Sequence, residues 1–446
     1  MTTELTLTAG GDAMITARMR TDTDPRFKTL VDLVQSTDVA PINLEVLLHD
    51  FQAYPASNGP GTYMRAPPWV ADELTWMGFD MFSVATNHAM DYTHGGMEAT
   101  MQNLETRDIP YAGMGRNLTT ARQPAFVDTA AGRVALVSAC STITTGSVAG
   151  RQRPGMHGRP GIAPIRFDTR YRLPEDAFEQ LYEISENLGL EDYKQWMADL
   201  GFPLSESEDG FQFLNLDGSR HPGVVPGDDF GIERVPNEDD ADALTEQLDH
   251  ASRQADWVVA SLHSHEGDGA RSTDETVAPF VEEIARTCID AGADVFVGHG
   301  SHTLRGIEIY DGAPIFYSLG NLIAQNELIE RLPAEMYDRY GFSDDATAAD
   351  VFDARNIDEE GNQVGFLSDR GYFETVLPIC EFDETGLSEL ALYPVDLQME
   401  KPRAQRGRPI VATKELGKQI FDRLQELSAP YGTEIDVGDE RSTVVL

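Results

Sequence analysis

Short apolar runs alternate with stretches of helical spacing along most of this chain. Residues 4–8 alternate apolar and polar positions and predict a strand, which the turn-forming run Ala9-Gly10-Gly11-Asp12 ends, presenting Asp12. Residues 27–34 have helical spacing, and 39–48 predict a second strand with Asn43 and Glu45 beside its end. Residues 67–78 predict a helix with proline at its start and Gly78 at its end. A third strand over 81–85 runs into Thr86-Asn87-His88, followed by a helix over 97–104 and a hairpin over 126–139 that turns at Ala131-Gly132. The second half repeats the alternation. A helix over 239–253 precedes a strand over 257–262 that ends in His263-Ser264-His265-Glu266, and a helix over 277–291 precedes a strand over 293–297 that stops at Gly298. Hairpins over 306–319, closed by Asp311-Gly312, and over 372–397 follow, then a terminal helix over 413–427.

Two stretches break this pattern. Residues 145–236 are rich in Gly, Pro, Asp and Arg, with helical patches only at 175–188 and 191–200, and 327–369 form a second excursion. There is no internal repeat. Strands alternate with helices in both halves and hairpins follow each half, which predicts an α/β layered protein with mixed sheets. The expected organisation is a single domain over residues 1–446, with the two irregular stretches as insertions.

Composition narrows the class. With 446 residues and 41% hydrophobic content the chain can bury a large core. No apolar run reaches the roughly eighteen residues that a membrane span needs. The first residues carry no basic and apolar leader pattern, and the three cysteines, Cys140, Cys288 and Cys380, are far apart with no CxxC spacing. Both features predict a cytoplasmic protein without a disulfide framework. The net charge is −41, from 75 acids against 34 bases, of which five are lysine. Acids spread along the chain in this way predict a solvated surface suited to molar salt, that is, a halophilic protein. No basic stripe is present, which argues against nucleic acid as a partner.

Chemistry gathers at the strand ends. Asp12, then Asn43 and Glu45, then Asn87 and His88, then His263, His265 and Glu266, then His299 and His302 lie at five strand ends. Open α/β sheets keep their sites at the carboxyl ends of strands. Taken singly, Asp12 fits an Asx turn, Asn87 a helix cap and His88 a packed core histidine. Five of the ten histidines at strand ends is the feature those explanations leave over. Oxygen and imidazole donors without thiolate suit Mn, Fe, Zn or Mg. A carboxylate such as Asp12 or Glu45 bridging two ions about 3.5–4 Å apart would let them polarise an ester or amide and activate water.

These residues also carry a resemblance. Gly11-Asp12-Ala13-Met14, Asn43-Leu44-Glu45, Arg65-Ala66-Pro67-Pro68, Asn87-His88-Ala89-Met90-Asp91-Tyr92, Gly113-Met114-Gly115-Arg116-Asn117, His263-Ser264-His265-Glu266, Gly298-His299-Gly300-Ser301-His302 and Tyr317-Ser318-Leu319-Gly320-Asn321 occur in that order. The chain resembles the CapA family of poly-γ-glutamate capsule synthesis proteins, which is similar in fold to the calcineurin-like metallophosphoesterases. The resemblance covers roughly residues 5–145 and 237–325. It implies a calcineurin-like metallophosphoesterase sandwich of two mixed β-sheets flanked by helices. It implies one or two divalent ions on Asp12, Glu45, Asn87, His263 and His299, with His302 as a further ligand and His88 as the general acid. Asn43, Arg65, His265, Glu266 and Asn321 are the candidate substrate contacts. Met14 stands where the phosphoesterases keep a second ligand, and the last two histidines are three apart, not two; both departures point to one tight and one weaker ion. Capsule-type members usually carry a membrane anchor, and no segment here is apolar enough to be one. The expected activity is hydrolysis of a phosphoester or a γ-glutamyl amide, on a small molecule or a glutamyl polymer. The rival readings are a non-catalytic component that holds polyglutamate in the same cleft, and a phosphatase with no capsule connection. Arg18, Arg65, Arg116 and Arg305 are the nearby positive groups.

Overall fold

The structure is a computed structural model, and it describes residues 4–57, 61–202, 210–213, 223–270 and 274–446. It is mixed α/β, as the alternation predicts. One five-stranded sheet runs in the order Asn321–Ala324, Gly10–Met14, Pro41–Leu44, Met81–Ser83, Tyr111–Ala112, with every pair parallel. The expectation of two mixed sheets is therefore corrected for this one. Its strands are joined by crossovers that contain helices, the connection parallel pairing requires. A second, six-stranded sheet is mixed, in the order Ile307–Tyr310, Ala313–Phe316, Val295–His299, Trp257–His263, Arg133–Cys140, Ala125–Asp128. Its two outer pairs are the predicted hairpins. Asp311 and Gly312 both take positive φ, at 48° and 80°, as a two-residue turn between right-twisted strands demands.

The two sheets share apolar packing. Met81 and Ala112 of the first lie in one buried cluster with Leu136, Val259, Val295 and Val297 of the second. The hydroxyls of Ser83, Ser138 and Ser261 bridge the same interface at 2.7 and 3.1 Å. Helices Pro25–Gln35, Val70–Met77 and Thr93–Glu105 cover the outer face of the first sheet, and Glu238–Ser252 and Pro279–Asp290 that of the second. Their ends follow local chemistry. Asp24 caps the first of them by accepting from the Arg26 amide, and Gly78 ends the second in the left-handed conformation at φ 107°.

A third sheet departs from expectation. Leu5–Thr8 does not lead into a turn at residue 12. It pairs with Glu374–Asp383, whose hairpin partner Gly386–Asp396 extends an antiparallel sheet that ends in Ile435–Asp436. Gly10–Met14 is a separate strand in the parallel sheet. Glycine is required there: a Cβ on Gly11 would sit 2.1 Å from the Gly320 carbonyl oxygen. The predicted 39–48 strand likewise divides into Pro41–Leu44 and Leu47–Leu48. Within 145–236 lie helices Glu175–Asn187 and Leu190–Asp199, as predicted, and a four-stranded sheet that was not. Helices Ala334–Arg339 and Ala348–Asn356 lie in the 327–369 stretch. No helix among the described residues is long and apolar enough to cross a membrane.

Candidate metal centre

The carboxyl ends of strands from both sheets bring five side chains together. Asp12, Glu45 and His302 form one group, and Glu45, His263 and His265 a second; within each group the donor atoms all lie within 4.8 Å of one another. Glu45 belongs to both. Asp12, Glu45 and His263 are fully buried.

Backbone irregularity aims these groups. The pairing of Gly10–Met14 shifts register on either side of Asp12, against Pro41–Leu44 and against Asn321–Ala324. A bulge re-aims the side chain it carries. Asp12 then accepts from the Asn43 amide at 2.7 Å and from the Gly300 backbone N–H at 3.0 Å. His302 is in the left-handed region at φ 62°, a conformation that costs a non-glycine residue about 1–3 kcal/mol. Asn321 holds it there: its Oδ1 lies 3.0 Å from His302 Nδ1, and its amide donates to the His302 carbonyl at 3.3 Å. Asn43 and Asn87 flank His263, with Asn43 Nδ2 3.2 Å from Nδ1 and Asn87 Oδ1 3.0 Å from Nε2.

The electrostatics fit a cation. Among the described residues, neither oxygen of Glu45 has a hydrogen-bond partner. A partnerless buried carboxylate is costly. Burial and the neighbouring Asp12 charge push the Glu45 carboxyl up to about 8. Burial disfavours the His302 imidazolium, but Glu45 and Asp12, 3.8 and 3.4 Å away, raise it to about 9. Burial also works against the Asp12 charge, yet the His302 hydrogen bond and the charges of His263 and His302 leave its carboxyl below the usual range. Burial drives His263 down to about 3, and burial with the neighbouring imidazoles lowers His265. The metal-free cluster thus holds protons on Glu45 and His302, which a divalent ion would displace, beside the Asp12 carboxylate and the neutral imidazoles of His263 and His265. The donor set is that of Mn, Fe, Zn or Mg.

His88 follows the Met81–Ser83 strand on a short 3₁₀ turn, Asn87–Met90. Its Nε2 lies 3.9 Å from Glu45 Oε1, and its Nδ1 lies 2.7 Å from Asp91 Oδ2. Asp91 is itself fixed by the Met64 N–H at 2.6 Å. Burial opposes the charged ring, while the Asp91 charge and hydrogen bond and the Glu45 charge raise His88 above the ordinary histidine value. His88 joins neither ligand group.

The other candidates are placed as follows. His299 is buried beside the cluster with a partnerless Nδ1, joins neither group, and is lowered by burial to about 4. Glu266 also joins neither; Ser141, Thr142 and Ser264 donate hydroxyls to its carboxylate at 2.6 to 3.1 Å. Arg65 is held away from the cluster by the His49 carbonyl, the Asp50 carboxylate and the Phe51 ring. Arg18 and Arg116 pair with Glu73 and Glu105. Arg305 is buried and donates to the carbonyls of Asp274 and His265, which fixes the backbone that carries one imidazole. Sequence reasoning assigned no role to Asp91, although its i+3 spacing from His88 on a helical turn places the two side chains together.

An α/β protein with a buried carboxylate–imidazole centre at the ends of its strands is thus defined. The profile of the bacterial capsule synthesis protein family, PGA_cap, matches residues 6–326, and the chain belongs to this family. It is 32% identical over 441 residues to the uncharacterised protein y4sH of Sinorhizobium fredii, covering 97% of this chain and 91% of that protein. It is 22% identical over 327 residues to the capsule biosynthesis protein CapA of Bacillus anthracis, covering 72% of this chain and 60% of that protein. Over 102 residues it is 36% identical to the PGA biosynthesis protein CapA of Bacillus subtilis, covering 23% of this chain and 22% of that protein.

Proposed function

We propose that the protein is a metal-dependent hydrolase of the CapA type, acting on a phosphoester or a γ-glutamyl amide in poly-γ-glutamate synthesis or processing. The observation that carries this reading is Glu45: a buried carboxylate with two partnerless oxygens, shared by two groups of possible ligands. The sheet arrangement supports the calcineurin-like metallophosphoesterase sandwich as the fold, organised as one domain over residues 1–446 with insertions at 145–236 and 327–369. Divalent ions held by the groups Asp12, Glu45 and His302 and Glu45, His263 and His265 would supply Lewis-acid polarisation of the scissile bond and a lowered pKa for water. The chain supplies the rest. Asn43 and Gly300 orient Asp12, Asn321 orients His302, and Asn43 and Asn87 orient His263. His88, aligned by Asp91, holds a proton next to Glu45 and delivers it to the leaving group.

Metal analysis of protein purified at high salt, followed by a screen of phosphoesters and γ-glutamyl peptides, tests the reading. At least one divalent ion per chain and turnover of one of these classes are expected. Folded, metal-free protein that turns over neither class would make the chain a non-catalytic polyglutamate-binding or assembly component.

The surface charge belongs to the same proposal. A cytoplasm at molar salt screens a net charge of −41, since the Debye length falls from about 10 Å at 0.1 M to about 3 Å at 1 M. The melting temperature should rise steeply as KCl increases over that range. An unchanged melting temperature would remove the halophilic assignment.

A further inference from the structure

Between Asp108 and Asp168 this strongly acidic chain carries a single acid, Asp128, against seven arginines, 116, 122, 133, 151, 153, 159 and 166. The stretch forms one wall of a groove of about 1050 Å³ that none of the metal-centre residues lines. Arg122, Arg151, Arg159 and Arg166 all border it, and the helix Glu238–Ser252 forms the facing wall. Arg122 and Arg166 share one fully buried carboxylate, Asp240, at 2.5 to 2.7 Å. Two guanidinium groups are thereby positioned by a single counter-charge. Arg151 and Arg159 are exposed, and among the described residues neither is paired with a carboxylate; Arg159 donates only to the Val148 carbonyl. The groove therefore sets four guanidinium groups against three carboxylates, Asp239, Asp240 and Glu246, on a molecule whose net charge is −41.

We propose that this groove is a second binding site, for a carboxylate-bearing amide chain, apart from the metal centre. Guanidinium forks match carboxylates in geometry, and the side-chain amides of Gln123, Gln247 and Gln254 along the groove match a peptide-like backbone. One loop touches both the groove and the surroundings of the centre. Thr142 donates to Glu266 and Thr144 to the Asn87 carbonyl, and the same loop continues to Val148 and Ala149 in the groove. The choice of a glutamyl chain as ligand rests on the reading of the preceding subsection.

The test uses a fluorescent γ-linked glutamate decamer and anisotropy, at the lowest salt that keeps the protein folded. The full-length wild type should bind it, and the double variant Arg151→Glu/Arg159→Glu should bind roughly tenfold or more weakly, as loss of hydrogen bonds to charged groups implies. Both positions are exposed, so circular dichroism should be unchanged. Arg133→Glu, in the same acid-poor stretch but outside the groove, should bind like the wild type. Absence of decamer binding to the wild type, or equal binding to the double variant, overturns the proposal. Equal competition by tripolyphosphate or by a single-stranded oligonucleotide overturns the carboxylate assignment. Metal content and hydrolysis are measured on the same samples. Groove-dependent binding without metal or turnover would keep this site and remove the hydrolase reading; turnover with groove-independent binding would do the reverse.

Discussion

Replacing Glu45 with alanine should empty both ligand groups at once. Each of the other members belongs to one group only: Asp12 and His302 to the first, His263 and His265 to the second. Asp12→Ala or His263→Ala should therefore lower metal content and activity while weakening one group directly, whereas Glu45→Ala weakens both. Loss of a residue that merely supports a ligand costs about 10–100-fold in metal affinity, and loss of a shared ligand should cost more. Stability should move in the opposite sense. Without a cation the wild type buries a Glu45 carboxyl whose two oxygens have no hydrogen-bond partner among the described residues, a penalty of about 1–3 kcal/mol for such a group. Metal-free Glu45→Ala should consequently melt no lower than the metal-free wild type. The wild type should gain about 2.7 kcal/mol at a hundredfold excess of metal over Kd, and the variant should not. Elemental analysis and melting curves with and without metal read both effects. Retained metal together with a retained metal-induced rise in melting temperature would show that Glu45 is not a ligand.

The local rules of the sequence led correctly to local structure. Asp311-Gly312 closes its hairpin because both residues accept positive φ, and Gly78 ends its helix in the left-handed conformation for the same reason. The pairing of strands was less legible, because pairing is non-local. Leu5–Thr8 finds its partner near the other end of the chain, in Glu374–Asp383, and nothing in a five-residue alternation specifies that. The glycines at 10 and 11 gave a turn signal where the chain continues as a strand. Their true cause is close packing, of the Ile42 and Leu322 side chains on Gly10 and of the Gly320 backbone on Gly11, which no local pattern contains.

The site divides in the same way. Residue types at strand ends located Asp12, Glu45, His263 and His302, because parallel strands from two sheets deliver their carboxyl ends to one place. Order along the chain did not separate His265 from Glu266, nor His299 from His302. Glu266 is taken up by three hydroxyls, two of them from Ser141 and Thr142 at the end of a neighbouring strand. His265 reaches the cluster because Thr142 and Arg305 hold its backbone N–H and carbonyl. Such partners are distant in sequence, so the assignment of adjacent residues to opposite roles needs the fold.

His88→Ala should leave metal content and folding nearly intact and lower turnover by about 10²–10⁴, the usual contribution of a general acid. The geometry separates the residue from the ligands. His88 Nε2 approaches Glu45 at 3.9 Å, while its Nδ1 is committed to Asp91 at 2.7 Å. The Asp91 carboxylate fixes the ring and favours its protonated form, and is itself anchored by the Met64 N–H. Asp91→Asn should therefore lower turnover too, by weakening the alignment and charge support of a ring that is still present, with a smaller loss than His88→Ala. Both variants should keep the full metal-induced gain in stability, which Asp12→Ala and His263→Ala reduce. The distinguishing measurement is metal content beside kcat on one set of four variants. Equal metal loss in His88→Ala and Asp12→Ala would place His88 among the ligands. Unchanged kcat in His88→Ala, with metal retained, would leave the leaving group to be protonated by some other donor and would reduce the His88–Asp91 pair to a structural contact.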